Sequence, residues 1–320
     1  MLPIINSVIS QFIRLDKCNV DTFISKMHYI GTTVLLSAFA ITLLSTNIIS
    51  ESMSCYTRVH SASDTSVPQS HLNSFCYATQ TNTYREEAIP PFYRYQPIIF
   101  FLLSITFFCP KIFWNTIEGN VIEKLVQNLG QPIQPSVERI SELRQLAQYV
   151  NRNRAGHKLL TLCYFITDCM YLLNLVIQVA IFDQILQGCF LSYGIEMNLE
   201  EVFPKTALCI YSDHSQSVEA TCFLHVNYFS DKFVLFLWYW WLVLGILTSC
   251  LLVFHVAFIC STWFRHYVFY KKAGRFVRQD HLTRILSGLS WSEKISETIF
   301  LQLIVQNLEN DTSAHFLDKL

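Results

Sequence analysis

Four runs of apolar side chains, at residues 30–49, 97–114, 159–186 and 233–264, constrain this chain more than anything else in it. A helix that crosses a bilayer needs about 20 mostly apolar residues. The first, third and fourth runs meet that length. The second is short by itself, but Tyr93 and Tyr95 flank it and suit the lipid interface. Backbone groups in lipid must be satisfied within the segment, so these runs are expected to be helices. Segments of about ten residues with period-two alternation, the mark of a β-barrel, are not seen. Composition agrees: 52% of residues are hydrophobic and 15% charged, with mean hydropathy +0.31. A soluble domain carries about 25% charged residues. The net charge of −1 excludes a generally basic nucleic-acid binder, so no nucleic-acid partner is expected. The expected class is an all-α membrane protein, a four-transmembrane-helix bundle.

Four spans place both termini on one side, and Lys and Arg say which. The N-terminal segment holds 3, the 111–158 loop 7 and the tail after residue 264 holds 8, so 18 of the 23 lie on one side. The positive-inside rule makes that side cytoplasmic. The expected division is 1–27 cytoplasmic, 28–50 first span, 51–94 extracellular and 95–114 second span. Then come 115–158 as a cytoplasmic helical loop, 159–186 as third span, 187–232 extracellular, 233–264 as fourth span and 265–320 as a cytoplasmic helical region. Residues 1–27 lack the pattern of a cleaved secretory signal. Ile4, Ile5, Val8, Ile9, Phe12 and Ile13 repeat at helical spacing after Pro3, which predicts an amphipathic helix. It could lie on the inner membrane surface or face a pore.

Of 11 cysteines, Cys109, Cys163, Cys169, Cys250 and Cys260 fall in or against apolar runs, where Cys behaves as a small hydrophobe. Cys18 is expected to stay reduced in the cytoplasm. Cys55 and Cys76 lie in one outer loop, and Cys209 and Cys222 in the other, with Cys189 at its start. Two pairs in an oxidising compartment read as disulfides, with three possible connectivities for the four. No CxxC with a matching His pair speaks for zinc, so no metal is expected. Asp168 is the acid well inside a span, a functional candidate by default; an inter-helix hydrogen bond with a Ser, Asn or Tyr of a neighbouring span explains it equally well. His255 is expected to be packed and hydrogen-bonded. The basic run Lys271, Lys272, Arg275 and Arg278 after span four could hold anionic lipid headgroups or act as stop-transfer charge. No nucleophile elbow, zincin motif, Walker A or dinucleotide fingerprint appears, so no catalytic residue, cofactor or enzyme activity is expected.

The ordered features resemble the innexins, invertebrate gap-junction subunits, over nearly the whole chain. His28-Tyr29 opens span one. Phe92-Tyr93-Arg94-Tyr95-Gln96-Pro97 stands where the family has YYQWVP, with only Tyr93 and Pro97 agreeing. Pro110 to Trp114, then Glu118-Gly119, looks like the family's PRxxW…EGG. Asp168, Asn174, Gly188 and Gly194 keep family spacing. The second outer loop matches best: Val202-Phe203-Pro204-Lys205, Cys209, Cys222, Asn227 and Lys232, running into Phe236-Leu237-Trp238. Two Cys per outer loop is the innexin count; connexins carry three. The short first outer loop and degraded signature look like a viral innexin (vinnexin) or a divergent insect member.

The resemblance implies a homo-oligomeric ring, of eight subunits by family habit, around a wide aqueous pore. It implies a helical cytoplasmic domain and disulfide-stapled outer loops, paired Cys55–Cys222 and Cys76–Cys209. It implies a partner ring on the apposed cell, with other innexins and membrane lipids as further partners. A single-cell hemichannel or a subunit that modulates host innexins are the alternatives. The amphipathic N-terminal helix would enter the pore mouth, making Leu2, Ile5 and Ile9 pore-lining candidates. Glu51, at the end of span one, could add a ring of acid or simply be a solvated loop start. Pro110 is expected to kink or end span two, with Pro97 acting similarly near its other end, so both are gating candidates.

Overall fold

The computed structural model describes residues 21–49, 53–57, 68–79, 92–119, 121–126, 136–196, 203–213, 216–273, 291–308, 312–313 and 315–316. It is mostly helical. Among these residues four helices are long and apolar enough to cross a membrane: Phe23–Thr46, Tyr95–Glu118, Gly156–Ile185 and His225–Cys260. They are called spans one to four below. Span four begins well before the apolar run that marks it in the sequence, because its first residues pack under the adjoining loops. A small three-stranded sheet, absent from the sequence reading, joins the helices.

Two spans depart from regular α-geometry. Met27–Thr32 of span one is a π-helical turn, and the Thr32 hydroxyl donates to the Met27 carbonyl five residues back, at 3.0 Å. In span two the helix Phe92–Thr106 passes through Pro97 without ending there. The interruption falls at Phe107 and Phe108, and the chain resumes as Cys109–Glu118 with Pro110 in its first turn. A missing N–H costs nothing in a first turn, which is why Pro110 is accommodated where it stands. Span three stops in a Schellman cap. Gly188 N–H donates to Asp183 and Gln187 N–H to Gln184, with Gln187 in the left-handed region at φ 56°.

The chain packs as two compact units, each assembled from distant stretches. One unit comprises residues 27–109 and 172–247. Its bundle core is aromatic. Phe182 meets Phe100 at 5.8 Å, Phe190 at 5.0 Å and Trp241 at 5.7 Å between ring centres, and Phe39 stacks on Phe233 at 4.3 Å. In lipid, helices gain nothing by hiding apolar surface from one another, so close fit carries association. Gly31 gives that fit against Trp240, and Gly194 leaves no choice: a Cβ there would lie 2.3 Å from the Trp238 ring.

The same unit carries the sheet. Strands β1 (Met53–Thr57), β2 (Thr206–Asp213) and β3 (Gln216–Leu224) are antiparallel in the order β1-β3-β2. Cys55 lies opposite Cys222, and Cys209 opposite Ala220. Period-two alternation therefore puts Ala220, Cys222 and Leu224 on one buried face. The helix Gln69–Thr79 covers that face with Leu72 and Cys76, four residues apart and both buried.

The second unit comprises residues 1–26, 110–171 and 248–320. Its core gathers Trp114, Ile122 and Val126, then Leu143, Leu146 and Val150 of the helix Ser136–Arg152. Ile299, Phe300, Leu303 and Ile304 of the helix Trp291–Asn307 complete it. That tail helix is buried on every side from Ser296 to Leu301, so polar Ser296, Glu297 and Thr298 need partners inside the unit.

Candidate functional site: a stapled loop module and buried polar pairs

The two loops that carry the paired cysteines meet in one module. Cys55 of β1 is bonded to Cys222 of β3, and Cys76 of the covering helix to Cys209 of β2. All four are at most 3% exposed, among Met53, Leu72, Ala220 and Leu224. β1 is an edge strand, and unpaired edges invite pairing with other chains. Here the covering helix occupies the edge at Cys55: Asn73 accepts from the Cys55 N–H at 2.9 Å, and Gln69 donates to the Cys55 carbonyl. One ligand atom each from Cys55, Cys76 and Cys222 lie within 4.8 Å of one another, a spacing that would suit a metal. Those sulfurs are committed to disulfides, so the cluster is covalent rather than ligating.

Below the module, polar groups fasten loops to spans. The Tyr193 hydroxyl donates to Asp231 at 2.9 Å, the Ser230 hydroxyl to Gln96 at 2.5 Å, and Asn227 to the Pro204 carbonyl at 2.9 Å. Burial, then the hydrogen bond to Asp231 and its charge, push the Tyr193 hydroxyl above its ordinary range, so it remains a donor. Trp240 donates to the Thr32 hydroxyl at 3.0 Å, at the end of the π turn.

The other unit holds two buried acid–imidazole pairs. Asp168 of span three lies 2.9 Å from His255 Nδ1 of span four, both 3% exposed at the side chain. Tyr164 packs edge-on against that imidazole at 5.5 Å and against Trp114 at 5.2 Å. A small pocket lined by Asp21, Ser25, Thr167, Asp168 and Tyr171 adjoins the pair. Lys111 meets Asp21 at 2.5 Å. The second pair is His157 with Glu297 of the tail helix, at 3.3 Å, and His157 stacks on Phe300 at 3.7 Å. Thr161 donates to the Ser296 carbonyl beside it, at 3.0 Å. Arg265 Nη1 donates to the Ile259 carbonyl at 2.7 Å, and burial lowers its guanidinium from the usual range.

The structure places the sequence candidates unevenly. Cys55, Cys222, Cys76 and Cys209 come together. Asp168 finds His255 rather than a Ser, Asn or Tyr of another span, a partnership the sequence reading did not draw. Asn174 sits on span three with its Nδ2 buried and without a hydrogen-bond partner among the described residues. Cys189 is a free, exposed thiol. Leu2, Ile5, Ile9 and Glu51 lie outside the described residues. The His157–Glu297 pair was missed. A buried acid–imidazole pair between residues 140 apart carries no periodic signal in a sequence.

Comparison with known proteins is consistent along the chain. The family model for innexins matches residues 21–320. Innexin inx3 of Drosophila melanogaster is 22% identical, with 98% of this chain and 88% of the relative aligned. Innexin shaking-B of the same fly is 22% identical over 94% of this chain and 89% of its own length. Innexin inx2 of Schistocerca americana is 25% identical over 85% and 86%.

Proposed function

The chain belongs to the innexin family, and from that premise we propose that it is one subunit of a ring enclosing a wide aqueous pore, docked through its stapled loops to a ring on an apposed cell. Ions and small metabolites cross by diffusion, and no bond is made or broken. Both termini and the loop between spans two and three face the cytoplasm, in keeping with 18 of 23 Lys and Arg on that side. Eight copies of this chain form each ring, and roughly residues 2–14 enter its mouth, with Leu2, Ile5 and Ile9 lining it. Glu51 adds an acidic ring at the outer end of span one. Pro97 and Pro110 shape span two, whose break at Phe107 and Phe108 offers a place to bend.

The observation that carries this reading is the loop module. Both loops contribute strands to one sheet, and two disulfides join them across more than 130 residues. A surface that must meet an identical surface on another cell has to be rigid before it docks, since ordering loops on contact costs affinity. Neither loop carries an N-x-[ST] sequon, so no glycan stands in the way of docking. The test is junctional conductance between paired innexin-free cells, both expressing this chain, with single-cell current recorded alongside. Coupling is the expected result. Single-cell current without coupling would replace the junctional reading by a hemichannel. Silence in both, with the protein at the surface, would replace it by a subunit that works only with other innexins.

A further inference from the structure

One exposed face changes chemistry along its length. On span four Val253 and Val256 are exposed, and Cys260 follows four residues later at its end. After a one-residue break at Ser261, the helix Thr262–Ala273 begins, its first turn capped by the Ser261 hydroxyl accepting from the Phe264 N–H at 3.3 Å. The exposed stripe continues on it as Trp263, 74% exposed, Tyr267 and Tyr270, with Lys271 at its end. Steps of three and four residues put these positions on one helix face. Trp263 and Tyr267 stack, ring centres 6.0 Å apart. The opposite face is occupied: Phe269 and Arg265 are buried, and Phe264 and Val268 pack on the core of their own unit.

We propose that this face, Trp263, Tyr267, Tyr270 and Lys271, binds the headgroup layer of an anionic lipid leaflet. Three observations select lipid over another occupant. The stripe is continuous with the exposed apolar face of a membrane span. Its order is aliphatic, then aromatic, then cationic, and indole and phenol rings favour the interface. The sequence then adds Lys272, Arg275 and Arg278, with no acid between Thr262 and Asp280. That charge complements anionic headgroups. About 12 Å of helix separates Trp263 from Lys271, and the lysine stem reaches back along the apolar surface toward the headgroups. The inference rests on span four crossing the membrane, and the experiment tests the two separately.

The full chain is reconstituted in vesicles of dibrominated phosphatidylcholine, with phosphatidylserine varied from none to roughly 30 mol%, where the surface becomes strongly anionic. Tryptophan emission of the wild type minus that of Trp263→Phe isolates Trp263. We expect this difference to be quenched, and more so as phosphatidylserine rises. Lys271→Gln with Lys272→Gln should raise the phosphatidylserine needed, by roughly fivefold in affinity per lysine. An unquenched Trp263 beside quenched tryptophans of span four would overturn the proposal, leave the span intact, and assign the face to a neighbouring subunit. Quenching that ignores phosphatidylserine would overturn it too, leaving a contact with neutral lipid.

Discussion

Removing one disulfide from the loop module should cost the same whichever one is removed. The two bridges span 167 and 133 residues, so with one intact the other closes a ring equal to the difference, about 34 residues of loop chain. Chain entropy then assigns each bridge about 3.8 kcal/mol while its neighbour stands, against about 5 kcal/mol for the first bridge closed on a free chain. The 34-residue ring contains no span, so insertion in a bilayer leaves its contribution unchanged. Alanine is the right replacement, because serine would bury a hydroxyl at sites at most 3% exposed. The assay is hydrogen exchange of the full chain over residues 206–224, where opening of the sheet exposes the β2–β3 amides. Cys55→Ala with Cys222→Ala, and Cys76→Ala with Cys209→Ala, should each speed exchange by roughly 500-fold. The quadruple variant should lose the further long-ring contribution, less whatever the inserted spans already supply by holding the loops together. A change under tenfold in either pair would refute ring closure as the source of rigidity. Single pairs that differ from each other by more than tenfold would show that local packing decides instead.

Gly194→Ala should destabilise the chain by about 1–3 kcal/mol, the usual cost of overpacking, because its methyl would displace the Trp238 ring. Trp238→Leu should recover part of that loss in a thermal size-exclusion assay; a wild-type melting profile for Gly194→Ala alone would contradict the packing. Truncating His255 to Ala should cost about 1–3 kcal/mol by leaving Asp168 buried without its partner. The double change Asp168→Asn with His255→Gln should cost less, and a more damaged double variant would refute the pairing. Deleting residues 2–12 should alter unitary conductance or voltage dependence, and Glu51→Gln should lower the cation-to-anion permeability ratio. An unaltered channel in either case removes that segment or residue from the pore.

The spans were legible because lipid imposes one requirement on every residue of a crossing helix, and a run of side chains records it directly. The loop module was not. Strand β3 shows alternation in Ala220, Cys222 and Leu224, yet its buried face owes as much to the covering helix as to its own pattern. The pairing of the cysteines was open to three connectivities on the residues alone, and only the family resemblance singled one out. The burial of the tail helix was not legible either. It was expected only as part of a helical region, and nothing in its pattern marks Ser296, Glu297 and Thr298 as buried, as they are. Glu297 pairs with His157 of span three and the Ser296 carbonyl accepts from Thr161 of the same span, and such pairing of distant segments leaves no local trace. Asp168 was visible as an anomaly, whereas its answer in His255 lay 87 positions along the chain.

The reach of the disulfides also sets a clock on biogenesis. Cys55 and Cys76 emerge early, but their partners Cys209 and Cys222 belong to the loop before span four. At about 5–20 residues per second, Cys55 waits on the order of ten to thirty seconds for Cys222 to be made. Throughout that interval two thiols from the first loop stand together, close enough in sequence to pair wrongly with each other. The correct bonds can close only after three spans have been threaded and the second loop has reached the same compartment. Oxidation thus reports on topology: a chain in which span two or span three alone fails to cross leaves its cysteines on opposite sides of the membrane and cannot be sealed. The cross-links that hold the finished loops therefore form only in a chain whose two loops share one side of the membrane.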